Sequence, residues 1–191
     1  SVRTPVSSTA TTMLALPVLV SQADTASIED ATSPAGARRY HWPTAGPPLL
    51  PYSYNSNYQI VVTRDAVVVH AEMIHDARII HMGRSHLPPQ IRQWMGDSVG
   101  HWEGNTLVVD TTNVKEGSGF YGDAGGNFGW DENLHMVERF SLFDADTLLY
   151  QFEIDNPTAF TRPWKGELTM TRSTDRIYEF ACHEGNYSLE N

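Results

Sequence analysis

The chain has 191 residues, a formal net charge of −10, 40% hydrophobic and 19% charged residues. That length fits one domain with a real core, and that composition is globular rather than disordered. The acidic balance argues against unaided nucleic-acid binding, which needs a cationic footprint, and against an anionic membrane surface. No apolar run reaches the ~20 residues of a membrane-spanning helix.

Residues 1–57 are rich in Ser, Thr, Ala and Pro, and Pro43, Pro47, Pro48 and Pro51 interrupt any element. The segment from Met13 to Val20, followed by Ser21-Gln22-Ala23, has the pattern of a weak signal peptide. A short strand or an extended arm docked on the domain is the preferred reading. The division is therefore an N-terminal arm over 1–57, packed on a β-barrel domain over 58–191.

From Tyr58 the pattern changes to period two. Strands are predicted at Tyr58–Val62, Ala66–Met73, Ala77–Met82, Asn105–Thr111, Leu134–Leu142, Thr147–Ile154, Trp164–Thr171 and Ile177–Cys182. The tight turns Thr63-Arg64-Asp65, Glu103-Gly104-Asn105 and Asp144-Ala145-Asp146 separate hairpin partners. No amphipathic helix of ten residues is visible; Arg92 lies in the best short candidate, Pro88–Met95. The expected fold is all-β: an antiparallel, about eight-stranded, lipocalin-like (calycin-like) barrel.

Alternation places side chains on faces. Leu134, Met136, Glu138, Phe140 and Leu142 share one face, so Glu138 sits in the middle of an apolar row. A carboxylate there must be paired, hydrogen-bonded or protonated. Burial of this kind also prepares a general acid or base. Leu148, Tyr150, Phe152 and Ile154 form the facing apolar row, which sets Tyr150 beside Glu138. Arg78 is the candidate to neutralise an inward carboxylate through a bidentate contact; a structural ion pair is the competing role for Glu138.

In Val67–Met82 both faces are apolar enough to be the inside. His70 and Glu72 share one face with Val68 and Ile74, and an inward Glu72 is preferred. His75 and Asp76 are expected at a bend. Asp110 is expected outward or at the rim, and His135 on the face opposite Glu138.

Other patterns carry less. His70-Ala71-Glu72 with His75, His81 or His86 offers a minority metal reading, without a recognised zinc signature. Gly117 to Gly122 matches G-x-G-x-x-G, but no βαβ unit surrounds it. Thr112–Asn133 reads instead as a Gly-rich loop over the barrel mouth, with Phe120, Tyr121, Phe128 and Trp130 beneath it. Cys182, the single cysteine, reads as a small buried hydrophobe. Asn186-Tyr187-Ser188 is a glycosylation sequon by pattern alone.

Several strings resemble a family of uncharacterised bacterial proteins. They are Glu72 to Ile80 (EMIHDARII), Trp94 to Ser98 (WMGDS), Gly100 to Thr111 (GHWEGNTLVVDT), Val137 to Phe140 (VERF), Arg162 to Trp164 (RPW) and Cys182 to Asn186 (CHEGN). Tyr54-Asn55 and Tyr58-Gln59-Ile60 belong to the same match. The resemblance runs from about Tyr54 to Asn186 and implies no activity, so no residue role comes from it.

The functional expectation is a cofactor-independent, metal-free enzyme of lyase, isomerase or cyclase type, acting on a small, largely apolar molecule in a barrel cavity. Glu138 and Glu72 are the acid–base candidates, Tyr150 and Arg78 the orienting groups, and His70 or His75 the proton shuttle. Trp102, Phe152, Met136, Phe140, Trp164 and Tyr178 are the candidate substrate-binding side chains. The alternative is a lipocalin-like carrier of a small apolar ligand. Neither nucleic acid nor membrane is expected as a partner, and self-association stays open. The expected setting is soluble, in the bacterial cytoplasm, the periplasm or outside the cell.

Overall fold

The structure is a computed structural model and describes residues 18–21, 46–51, 56–115 and 130–179. Nine strands form one closed barrel in chain order. They are β1 (Val18–Ser21), β2 (Asn57–Val62), β3 (Ala66–Ala71), β4 (Ala77–Met82), β5 (Asp97–Glu103), β6 (Thr106–Thr112), β7 (His135–Leu142), β8 (Thr147–Asp155) and β9 (Trp164–Ser173). β2 to β9 make a continuous eight-stranded sheet, and β1 closes it by pairing antiparallel with both β2 and β9. All neighbours are antiparallel except β4 and β5. Those two run parallel and share only the pairs Ile80–Ser98, His81–Val99 and Met82–Gly100. The parallel seam exists because residues 83–96 cross over between the two strands, where a hairpin would have reversed the chain. The only helical turn among the described residues is the 3-10 turn Met73–His75.

The all-β, calycin-like expectation holds. β5 was not foreseen, because His101, Trp102 and Glu103 at its end are exposed and blur the alternation. Within the segment read as an arm, Val18–Ser21 is itself a barrel strand. Residues 177–179 of the expected last strand are not extended ladder, and 180–182 lie outside the described residues. Most of the Gly-rich loop (116–129), the sequon and Cys182 lie outside them too.

The inner rows are Tyr58 and Ile60; Val67, Val69 and Ala71; Arg78 and Ile80; Leu107, Val109 and Thr111; Met136, Glu138 and Phe140; Leu148, Tyr150, Phe152 and Ile154. β-Branched and aromatic side chains in period two account for each strand. Gly166 faces Phe152 across the β8–β9 ladder, and a Cβ on Gly166 would fall 2.2 Å from that ring. The phenyl ring takes the space that the glycine leaves. Gly96 has φ of +71° and comes so close to β6 that a Cβ would lie 2.6 Å from the Thr112 carbonyl oxygen. Glycine is what lets the crossover settle against the wall just before β5.

The segment Gly46–Pro51 enters the barrel, with Leu49 and Leu50 in the core. The Leu49 N–H donates to the Tyr150 hydroxyl (3.0 Å), and the Tyr58 hydroxyl donates to the Leu50 carbonyl (3.5 Å). This interior segment, more than the wall itself, fills the space that a ligand beside Glu138 would need.

Candidate functional site

Two polar networks stand on opposite faces of the same strands. The inner one centres on Glu138, which is fully buried. Arg78 Nη1 donates to Glu138 Oε1 (3.0 Å), Arg78 Nη2 donates to Oε2, and Tyr150 donates to Oε1 (2.7 Å). Two more guanidinium N–H groups go to Ser98 (Nε to Oγ, 3.0 Å) and Thr111 (Nη2 to Oγ1, 3.1 Å), whose hydroxyls are 3.0 Å apart. Desolvation, then the Glu138 charge, pushes the Tyr150 hydroxyl well above its ordinary pKa. That keeps it a neutral donor. Every group in this network has a partner, which is the condition for burying an ion pair.

The expected contacts among Glu138, Arg78 and Tyr150 are thus present, but Glu72 and the histidines do not join them. Val67, Val69 and Ala71 are the inward row of β3, so His70 points outward, which corrects the preferred face. The face is decided by pairing: inward Val69 lies opposite inward Arg78. Glu72 comes after the strand ends. It is buried and accepts from Asn57 Nδ2 (3.1 Å), a residue whose inward neighbour on β2 is Tyr58. His75 is exposed at the 3-10 turn, with Nδ1 3.2 Å from the Glu72 carbonyl and its ring 6.2 Å from that of His70.

The expected substrate-binding side chains divide. Met136, Phe140 and Phe152 are buried core, and Trp164 packs edge-on against Phe152 at 5.5 Å. Trp102 is partly exposed at the opposite end of the barrel. Tyr178 is 68% exposed beyond β9.

The outer network is one that sequence reasoning did not assemble. Asp97 opens β5, Asp110 lies in β6, His135 opens β7, and His86 comes from the crossover. Asp97 is 1% exposed. It is held by Arg84 (Nη1 to Oδ2, 3.3 Å, with a second contact from Nη2 to Oδ1) and by the Leu87 N–H (2.8 Å). His86 Nδ1 meets Asp97 Oδ2 at 3.0 Å, and His86 Nε2 meets Asp110 Oδ1 at 2.9 Å. The other Asp110 oxygen meets His135 Nε2 at 2.9 Å. The result is a line, Arg84–Asp97–His86–Asp110–His135, buried at one end and open to solvent at the other.

Charge along that line is ordered. Burial works to raise the Asp97 pKa, but hydrogen bonds from Arg84, Leu87 and His86 outweigh it and hold the carboxyl below its ordinary value. The His135 hydrogen bond lowers Asp110. In return the Asp110 bond raises His135, helped by the charges of Asp155 and Glu153. Beside Asp97 runs an open cleft of about 900 Å³, its walls including Trp94, Ile79, His81 and Met95, with Asp97 and Ser98 among its lining.

A third feature lies at the far end of the barrel. An apolar cleft of about 690 Å³, counting space open to solvent, is lined by inward side chains of β2, β3, β4, β6 and β8. Phe140 also lines it, and its ring centroid lies 4.8 Å from that of Tyr150, with the rings tilted by 42°. Among the described residues, no three His, Cys, Asp or Glu side chains are grouped to hold a metal ion, and no helix is long and apolar enough to cross a membrane. Compared with known protein families, curated proteins and solved structures, the chain matches none.

Proposed function

We propose that the protein is an enzyme that moves protons to and from a small organic substrate, in the manner of a lyase or isomerase, and that His135 is the group that moves them. The observation that carries this reading is the Asp97–His86–Asp110–His135 line. A carboxylate on one imidazole nitrogen fixes the tautomer and ring orientation and leaves the other nitrogen for the substrate. Here Asp110 takes Nε2 of His135, so Nδ1 is the working atom. Asp110 is in turn positioned by His86, and His86 by the buried, doubly anchored Asp97.

The raised pKa of His135 keeps more of it in the protonated, donating form near neutrality and makes the neutral form a stronger base. The acid–base chemistry expected of Glu138 is thereby assigned to the outer face of the wall. Glu138, closed in by Arg78, Tyr150 and the Leu49 segment, holds the barrel together.

The test is hydrogen–deuterium exchange at the α-carbons of simple ketones and keto acids in D2O, followed by proton NMR. The native protein should accelerate exchange over buffer. His135→Gln should lose that acceleration by about 100-fold or more, the usual contribution of a positioned acid–base group. Exchange that survives in His135→Gln at the native rate overturns the assignment.

A further inference from the structure

The geometry points to a second ligand site at the far end of the barrel, an apolar slot that takes the alkyl chain of an unbranched, medium-chain carboxylate and binds its head group at Arg172. This site is independent of the chemistry proposed for His135. His135 opens β7, whereas the slot opens beyond Leu142, where β7 ends.

The slot is built from Ile60, Val67, Val69, Ile80, Leu107 and Leu148, inward side chains that no other described segment fills at this end. Gly46–Pro51 occupies the interior beside Tyr150 and Glu138. Phe140, over Tyr150, separates that filled half from the open one. From Asp146 at the rim to the level of Phe140, which lies opposite Tyr150, is four residues along the chain, at most about 13 Å at the usual rise. That is the reach of a medium-length alkyl chain. The slot is narrow, which favours an unbranched chain over fused rings.

The rim supplies the head group's partner. Along β9, Trp164, Gly166, Leu168 and Met170 alternate inward, and Arg172 continues that row at the mouth. Its Nε lies 3.8 Å from Asp146 Oδ1, and both side chains are more than half exposed. A pair that long and that solvated holds the guanidinium weakly. The guanidinium fork matches a carboxylate in bidentate fashion. Asp146 is the competitor on the same rim, and Asn105 and Ser141 are the neutral polar groups beside it. Trp102 stands at the lip.

The experiment is calorimetric titration of the full chain with decanoate, decanol and decyltrimethylammonium, repeated in Arg172→Gln and Asp146→Asn. Both substitutions are at exposed positions and leave the core untouched. Decanoate should bind best. Its affinity should fall about tenfold in Arg172→Gln, the range of a charge-assisted hydrogen bond, and should rise in Asp146→Asn. Decanol should be indifferent to both changes.

Position is read separately, by quenching of tryptophan fluorescence with a decanoate brominated at the carbon next to the carboxylate, which the pose sets at the lip. Quenching should be substantial in the native protein and largely lost in Trp102→Phe. The proposal is overturned if decanoate does not bind, if decanol or the cation binds equally well, if Arg172→Gln binds decanoate as the native protein does, or if quenching persists in Trp102→Phe.

Discussion

The inner and outer networks use the same chemical parts and differ in what surrounds them. The same three strands supply both: Ser98 and Asp97 on β5, Thr111 and Asp110 on β6, Glu138 and His135 on β7. One set points inward and is sealed, with an arginine neutralising a glutamate and a tyrosine completing the shell. The other points outward, begins in a buried aspartate and ends at a histidine that water can reach. A carboxylate with both oxygens hydrogen-bonded and its side chain fully buried is equipped for a structural role. A titratable group positioned by a chain of others, with one nitrogen left over, is equipped for chemistry. Burial alone therefore does not separate a structural carboxylate from a working one.

That contrast can be broken in several places. The largest effect is expected from Glu138→Gln, which leaves the Arg78 charge buried without its counter-ion. The cost should be about 3–5 kcal/mol, read as a fall in the urea midpoint. The replacement Glu138→Leu with Arg78→Met removes both charges and should recover most of that loss, because an apolar pair of similar volume often matches a buried ion pair. A double variant as unstable as Glu138→Gln would mean that the network does more than neutralise itself.

Tyr150→Phe comes next, at about 1–3 kcal/mol, since it strands both the Leu49 N–H and one side of Glu138. Amide exchange at Leu49 should quicken in that variant. His86→Asn should show the opposite profile, with a stability change of about 1 kcal/mol or less and a large loss of α-proton exchange activity.

The smallest effect is in pH dependence. His135 is raised by Asp110, so its pairing stabilises the fold fully below the ordinary histidine pKa of about 6.5 and is lost as pH rises through the raised value. Asp110 is lowered, so its share is present above the ordinary aspartate pKa of about 4 and is lost as pH falls through the lowered value. The stability gap between native protein and His135→Gln should be widest between about pH 4 and 6.5 and narrow above neutrality. A gap that is flat with pH would remove the His135–Asp110 pair from the account.

What the sequence made legible follows from periodicity. Glu138 and Tyr150 could be placed because their neighbours at two-residue spacing are unambiguously apolar, and Arg78 could be matched to Glu138 by charge. The face of β3 could not be read, since Val67 and Val68 serve either side equally well; only pairing with β4 decides it. His86 was opaque for another reason. It lies in a proline-containing crossover without period, and its partners Asp97 and Asp110 come from strands 11 and 24 residues away. The available signal was that Asp110 and His135 are both polar residues on outer rows of strands that proved adjacent, with Asp110 opposite Val137.

The closing strand has a consequence for how the chain is handled. β1 is four residues long, yet it alone joins β2 to β9, elements more than a hundred residues apart in sequence. A chain that begins after Ala23 lacks it and presents two unpaired ladders instead of a continuous wall. Such edges are templates for other chains. A shortened protein should therefore self-associate through its seam and yield a domain-swapped or aggregated product in place of the closed barrel.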